Sequence, residues 1–518
     1  MSQYPMSDAI RAAYGRAEEE ETMGPIVRVD EQGEPVGRID DGAYVIFYNI
    51  RGEREIELSR TLTDPAFDEF PNKHLKVSLA TMIEYEPSLG AQVAFPTQTE
   101  VQDTLSEVVS KAGLRQAKVV ESEKGVHIRY FLNGKREEPF ANEERIIIES
   151  ARDVEDFDER PQMNVQDVAD ATIAKLADAA YGLVITNFAN MDVVGHIEDK
   201  AAVLQAIAAV DEQVGRVISA AREHGVTAVV TADHGSVERW YYPDGKVDTG
   251  HTDSLVPCVV VGPEVQLREG GALTDVAPTV LELLGLAQPD VMTGESLIVS
   301  GSVELSPGRV LLLIVDGWGC PSDESCNLLG QVPVPNLDAL LTDYPNTKLI
   351  ASGEAVGMPE GTVGNSEAGH LHIGAGRVIP SDRLRIEWAM RDGSYRDNAA
   401  FRWAIEGAKR DKKPLHLLGI ISFYSSHGSV RYLLELLEAC AKYGAPAVYI
   451  HGLLGRRGER PESGAAYIQD VEEKCAALGV GEVVSVIGRH WALDREERWE
   501  RVEKAYRLLV YGDGTKIN

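Results

Sequence analysis

Val226-Thr227-Ala228-Val229-Val230-Thr231-Ala232-Asp233-His234-Gly235 is a short apolar run that ends on a carboxylate and an imidazole. Val and Thr without polar alternation read as a β-strand buried on both faces, which occurs where helices cover a parallel sheet. An amphipathic helix over 199–222 precedes it, and before that comes a second run, Gly182-Leu183-Val184-Ile185-Thr186. The alternation continues with strands Pro257–Val261, Val310–Val315 and Lys348–Ala351, and a helix around Val276–Leu284. The last third repeats it, with strands Leu415–Ile420, Ala447–Ile450 and Val483–Ile487. Its helices lie near 397–409, 430–443, 464–478 and 497–509. Strand–helix alternation with fully apolar strands predicts an α/β fold with parallel sheets. Ser300–Gly308, small, polar and ending in Pro-Gly, reads as a linker, and the acidic run Ala17–Thr22 as a solvated helix face.

At 518 residues the chain can bury two or more cores. A hydrophobic content of 44% and a charged content of 26% are those of a soluble globular protein. The net charge of −31 argues against nucleic acid or an anionic membrane surface as partner. It also makes a local cluster of arginines more telling. Cys258, Cys320, Cys326, Cys440 and Cys475 show no CxxC spacing and read as free thiols of a reducing cytoplasm. No leader is visible in Met1-Ser2-Gln3-Tyr4-Pro5, and no apolar run is long enough to span a membrane.

Ligands in open α/β sheets gather at the carboxyl ends of strands. Asp233-His234 follows one strand, and Asp316, in Val315-Asp316-Gly317-Trp318-Gly319, follows another. The run Val184–Thr186 leads to Asn190-Met191-Asp192-Val193-Val194-Gly195-His196, whose Asp and His, four apart, can face one ion from a single helical turn. His251 follows in Thr249-Gly250-His251-Thr252. Taken singly, each is a capping or surface residue. Together, at three strand ends, they suit two divalent ions such as Mn²⁺ or Zn²⁺ better than Ca²⁺ with its all-oxygen shell. The Gly-rich segment Gly364–Gly376 adds Ser366 in what reads as a polar turn.

The stretch Asn365-Ser366-Glu367-Ala368-Gly369-His370-Leu371-His372-Ile373-Gly374-Ala375-Gly376-Arg377, taken with those motifs, resembles the cofactor-independent phosphoglycerate mutases of the alkaline phosphatase superfamily. The resemblance covers nearly the whole chain only if the sequence is cut and rejoined. The family begins with a segment like Val310–Asn518 and ends with one like Ser2–Ile298, so the chain reads as a circular permutant with Ser300–Gly308 joining the old termini. The resemblance implies an alkaline-phosphatase-like three-layer domain near 92–380, and a smaller α/β substrate domain formed by 1–91 and 381–518.

It further implies a phosphomutase working through a phosphoserine at Ser366, interconverting 3- and 2-phosphoglycerate. Asp316, Ser366, Asp233 and His234 would ligate one metal, and Asp192, His196 and His251 the other. Mn²⁺ is the expected ion, with Zn²⁺, Mg²⁺ or Co²⁺ as alternatives. The substrate-binding set it implies is His427, Arg457, Arg489, Arg495, Arg51, Arg54 and Lys124, whose guanidinium forks suit phosphate and carboxylate. The expected setting is a cytoplasmic monomer acting on a small phosphorylated carboxylic acid, with neither nucleic acid nor membrane as partner.

The departures cluster in the substrate loops. The family's Asp-Gly-Arg-Asp is Gly455-Arg456-Arg457-Gly458, and its Ser-Asp-Gly-Gly-Val-His-Ser-His is Ser422-Phe423-Tyr424-Ser425-Ser426-His427-Gly428-Ser429, which loses one His and the small glycines and gains two aromatics. They open a second reading, a phosphomutase or phosphatase on another small phosphorylated or phosphonate-containing acid. A non-catalytic binding protein is a third, but it would have no need of the complete ligand set.

Overall fold

A computed structural model describes residues 4–97, 100–151, 153–154, 156–242, 244–299, 308–423, 425–455 and 462–518. Arg457, with Arg456, Gly458, Tyr424 and most of the Ser300–Gly308 linker, lies outside them. The chain forms two compact units, one of Met1–Thr97 with Arg385–Asn518 (the terminal unit), the other of Gln98–Leu384 (the central unit). The cuts expected at 91/92 and 380/381 move outward on one side because Gln92–Val93 adds a strand to Ser78–Thr81, which holds it in the terminal unit.

The central unit is built on a seven-stranded sheet. Its spatial order is Asn346–Leu349, Val256–Val261, Val226–Thr231, Arg309–Val315, Tyr181–Phe188, Arg115–Glu121, Glu143–Ile148. Six of these run in one sense, and Val256–Val261 is antiparallel to both of its neighbours. The expectation of purely parallel sheets is therefore corrected to mixed ones. The segment 232–255, which carries the site loops, returns the chain in the reverse sense. Val256–Val261 is buried at every position, and Arg309–Val315 at all but its first. Side chains alternate between faces along a strand, so burial at successive positions requires cover on both sides, the layered arrangement expected.

Helix Lys200–Glu223 supplies part of that cover. Asp199 caps it by accepting from the amides of Ala201 and Ala202 at 2.8 and 3.0 Å. Its buried stripe, Val203, Ala206, Ile207, Val210, Val214, Val217 and Ala221, recurs every three or four residues. Each fully buried valine of such a stripe contributes about 1.5 kcal/mol by removal from water.

The terminal unit has an eight-stranded sheet drawn from both ends of the chain. Its order is Thr515–Ile517, Ile26–Arg28, Glu482–Gly488, Val448–Leu454, Leu415–Ile420, Tyr44–Phe47, Ser78–Thr81, Gln92–Val93. Ile26–Arg28 is antiparallel to Glu482–Gly488, and the other pairings are parallel. Its core is separate from that of the central unit. The acidic run is no solvated helix face. Glu20–Thr22 is a single 3₁₀ turn whose Glu20 accepts from the Gly464 amide at 2.7 Å and whose Glu21 pairs with Arg489.

Candidate metal centre and arginine pocket

Three neighbouring strands of the central sheet, Val226–Thr231, Arg309–Val315 and Tyr181–Phe188, deliver their carboxyl ends to one place. Asp233 and His234 follow the first and Asp316 the second. Asp192 sits on the short helix Asn190–Gly195 after the third, with His196 as its C-cap. Gly317 adopts a left-handed φ of +84°, and a Cβ there would stand 3.0 Å from the Asp192 amide. That glycine lets the two strand ends approach.

Ser366 is not in a turn. It opens helix Ser366–Ala375, with Asn365 as N-cap accepting from the Ala368 amide at 2.8 Å. A Cβ at Gly369 would lie 2.5 Å from the Asp233 carbonyl, so glycine there seats the helix against the strand end. Ser366 Oγ lies 3.0 Å from His234 Nε2 and accepts from Lys124 Nζ at 2.6 Å. The same ammonium donates to Asp192 Oδ2 at 2.6 Å and Asp316 Oδ1 at 3.0 Å. Lys124 was expected to bind substrate together with the arginines. It belongs to the central unit, because the one-turn helix Ser122–Lys124 follows the strand Arg115–Glu121 of the same sheet.

The donors group as Asp192–His196–His251, Asp192–His234–Asp316 and Asp233–Asp316–His370. His196 Nδ1 faces the Thr249 carbonyl at 2.6 Å, and His251 Nδ1 the Gly364 carbonyl at 3.0 Å. A carbonyl only accepts, so each ring carries its proton on Nδ1 and offers the Nε2 lone pair. Those two Nε2 atoms stand 3.1 Å apart, and Asp192 Oδ1 lies 3.3 and 3.1 Å from them. With both rings neutral, three acceptors converge there, an arrangement that a cation satisfies. Asp192 Oδ1 and both oxygens of Asp233 are buried without a hydrogen-bond partner. Three buried carboxylates face one ammonium, and the unbalanced charge fits divalent metal.

The pKa shifts follow the same geometry. Burial pushes the Asp192 carboxyl up, but Lys124 and His234 outweigh it and hold the group well below the usual carboxylate range. Burial and the neighbouring Asp233 carboxylate push Asp316 up. Burial alone would discharge Lys124, yet Asp316, Asp192 and Asp233 keep it an ammonium. His127, behind His370, is driven down to about 3 by burial, then by His370 and Lys124.

His370 and Asn187 escaped the sequence reading. His370 Nδ1 lies 2.8 Å from the Ser366 carbonyl and 3.2 Å from Asp233, and Asn187 donates to Asp316 Oδ2 at 2.9 Å. His370 stood in the quoted motif, four residues after Ser366, a spacing that puts both on one helix face.

The terminal unit carries a cavity of about 560 Å³ lined by Arg51, Arg54, His427, Arg489, Arg498 and Arg501 among others. Four of these were expected, and Arg498 and Arg501 were not. Arg495, expected among them, is not one of the lining residues and pairs with Glu53 at 2.8 Å. Arg54 donates to the Leu493 carbonyl at 3.1 Å, and Arg489 pairs with Glu21 at 2.9 Å. Gly455 has φ +99°, and a Cβ there would lie 2.7 Å from Glu21 Cα, so the backbone excludes the aspartate that the resemblance places there. Phe423 is 62% exposed. Among the described residues no helix is long and apolar enough to cross a membrane, and all five cysteines are free.

Residues 12–288, more than half of the chain, match the family profile described as the metalloenzyme superfamily. The chain belongs to that superfamily. Residues 386–518 match the profile of the BPG-independent phosphoglycerate mutase N-terminus. Curated relatives named 2,3-bisphosphoglycerate-independent phosphoglycerate mutase include that of Moorella thermoacetica, 41% identical over 57% of both chains. Another, from Thermomicrobium roseum, is 42% identical over 57% of this chain and 58% of its own. The chain thus spans a little over half the length of the curated relatives it matches. A solved Leishmania mexicana phosphoglycerate mutase at low cobalt concentration shares 30% identity at a TM-score of 0.37, covering 52% of this chain and 53% of that one.

Proposed function

We propose that the chain is a metal-dependent phosphomutase that interconverts 3-phosphoglycerate and 2-phosphoglycerate through a phosphoserine at Ser366. The observation that carries this is Ser366 Oγ, held at a helix N-terminus within 2.6 Å of a buried ammonium and 3.0 Å of His234, beside the Asp192 and Asp233 carboxylates, three of whose oxygens accept no hydrogen bond. The chain's membership of the metalloenzyme superfamily and its likeness to named phosphoglycerate mutases support the same reading.

Asp316, Ser366, Asp233 and His234 would hold one divalent ion, and Asp192, His196 and His251 the other. When bound, such ions supply Lewis-acid charge that lowers the serine hydroxyl pKa and neutralises the phosphoryl oxygens. Carboxylate, hydroxyl and imidazole donors without thiolate suit Mn²⁺, the ion we assign. Ser366 Oγ attacks phosphorus as the bond to the substrate oxygen breaks, and the same phosphoryl group returns to the other hydroxyl. Lys124 keeps its positive charge beside the serine, and the first-turn amides of helix Ser366–Ala375 favour the incoming anion. The arginines of the terminal unit would hold the substrate's carboxylate, with Arg457 and Arg495 in the same set. The chain would work as a cytoplasmic monomer.

A circular permutation belongs to the same proposal. The late strand Arg309–Val315 lies between two earlier ones, Val226–Thr231 and Tyr181–Phe188, and a profile named for the mutase N-terminus matches this chain's last residues.

Phosphorus NMR of the protein with Mn²⁺ and 3-phosphoglycerate, without bisphosphoglycerate, tests the function. Appearance of the 2-isomer, abolished by Ser366→Ala, is expected. Free phosphate alone, or no change, would overturn it.

A further inference from the structure

The arginine cavity contains one group whose surroundings go beyond anion capture. His427 is buried, and its Nδ1 lies 2.9 Å from Glu55 Oε1. Glu55 is fully buried on helix Gly52–Thr63, one residue after Arg54. The proton positions are settled by a chain of contacts. The Ile420 amide donates to Asn49 Oδ1 at 2.8 Å, which fixes the side-chain amide of Asn49. Asn49 Nδ2 must then be the donor to Glu55 Oε1, at 2.7 Å. An oxygen that already accepts from Asn49 receives the imidazole contact as a second acceptor bond, so His427 carries its proton on Nδ1. The Ile50 amide donates to the His427 carbonyl at 2.7 Å and pins the backbone.

Two features set this apart from a structural ion pair. Glu55 Oε2 is buried with no hydrogen-bond partner, a cost that a pair selected for stability alone would avoid. His427 also lines the cavity beside Arg51 and Arg54, and its Nε2 takes no hydrogen bond among the described residues. With Nδ1–H committed to Glu55, Nε2 is an acceptor in a pocket whose wall also carries the donors Arg51, Arg54, Arg489, Arg498 and Arg501, alongside the carboxylates Glu21, Asp494 and Glu496.

We propose that Glu55 and His427 form a carboxylate–imidazole dyad in which His427 Nε2 accepts the proton of a substrate hydroxyl and Glu55 is its positioning residue. A hydroxy acid suits the site: arginines for its carboxylate, Nε2 for its hydroxyl. In the phosphomutase reading, on which this rests, the hydroxyl O–H bond breaks as its oxygen bonds to phosphorus and the Ser366 Oγ–P bond breaks, and the proton passes to Nε2. The imidazolium is held by Glu55, and the proton returns to the oxygen when the O–P bond breaks.

The test combines turnover with a measurement that needs none. Glu55→Gln is expected to lower kcat about 100-fold, the scale of a general acid–base contribution, with KM within about threefold. Glu55→Asp is expected to recover part of kcat. Nitrogen-15 NMR of histidine-labelled protein, assigned with His427→Gln, is expected to show the Nδ1–H tautomer and a shift of Nε2 on adding D-glycerate. An Nε2–H tautomer in the wild-type protein, an Nε2 unmoved by glycerate, or a Glu55→Gln kcat within threefold of wild type would each overturn the dyad. If the protein fails to convert 3-phosphoglycerate at all, the functional reading falls and the tautomer and glycerate measurements still decide this one.

Discussion

Lys124 Nζ lies 2.6 Å from Ser366 Oγ, and both groups are buried. The ammonium is flanked by Asp192 and Asp316, which keep it charged against the pull of burial. A positive charge fixed beside a serine stabilises negative charge as it develops there. Lys124→Met is expected to lower kcat by about 10²–10³-fold, the loss seen when one preorganised charge-stabilising donor is removed. Rapid-quench measurement of phosphoserine formation checks it; an unchanged rate would remove Lys124 from the reaction.

The acceptor-only meeting of His196, His251 and Asp192 predicts how metal is held. Elemental analysis is expected to give two ions per chain, and one in His251→Ala. Chelation should lower the melting temperature and Mn²⁺ should restore it, because an ion at 100 times its dissociation constant adds about 2.7 kcal/mol to the native state. Equal metal content in the variant would contradict the assignment.

Gly369 is a steric prediction. A Cβ would meet the Asp233 carbonyl at 2.5 Å and its Cβ at 2.7 Å, both on a buried strand end that cannot retreat. Gly369→Ala should cost about 1–3 kcal/mol as an overpacked contact and displace Ser366 from His234. Urea denaturation alongside activity measures both. The neighbouring Ala368→Gly serves as the control, expected to cost about 1 kcal/mol through helix propensity with turnover retained.

The terminal unit contains a buried histidine pair on adjacent strands. His416 Nδ1 lies 3.0 Å from His451 Nε2, and His451 Nδ1 lies 2.7 Å from Ser485 Oγ. Burial pushes His416 down to about 3; burial and then His416 push His451 well below its usual value. Both rings are therefore neutral when folded and become protonated on unfolding in acid. Their contribution is fully present above the unfolded value of about 6.5 and is lost as pH falls from there towards 3. His416, pushed down to about 3, should cost about 2 kcal/mol at pH 5. Urea midpoints between pH 7.5 and 5 are expected to fall steeply, and less so in His416→Phe. A slope unchanged by the substitution would exclude the pair as its source.

Strands packed on both faces were the most readable elements. Val226–Thr231 and Leu415–Ile420 run over the same residues in the structure as in the sequence, as do helices Val430–Tyr443 and Gly464–Leu478. Arg115–Glu121 was missed because Lys118, fully buried, interrupts its apolar run and is tolerated only through Asn133 and Glu143. The candidate donors Asp192, Asp233, His234 and Asp316 were legible because each follows an apolar strand. Glu55 was not, since its meaning depends on His427, 372 positions away. Arg498 and Arg501 read singly as surface charges; only the short loop and helix start around Asp494 turn them to the cavity.

The two-ended origin of the terminal sheet sets the order in which the protein matures. Tyr44–Phe47 leaves the ribosome early, but its neighbour Leu415–Ile420 follows only after the whole central unit has been made. At 5–20 residues per second, roughly 370 intervening residues take about 20–75 s. Through that interval the early strands show an unpaired edge and an uncovered apolar face, the features that attract other chains. The central unit, continuous in sequence, can finish meanwhile. Production of the protein should therefore depend on chaperone capacity, with the first hundred residues, more than the metal-binding unit, as the client.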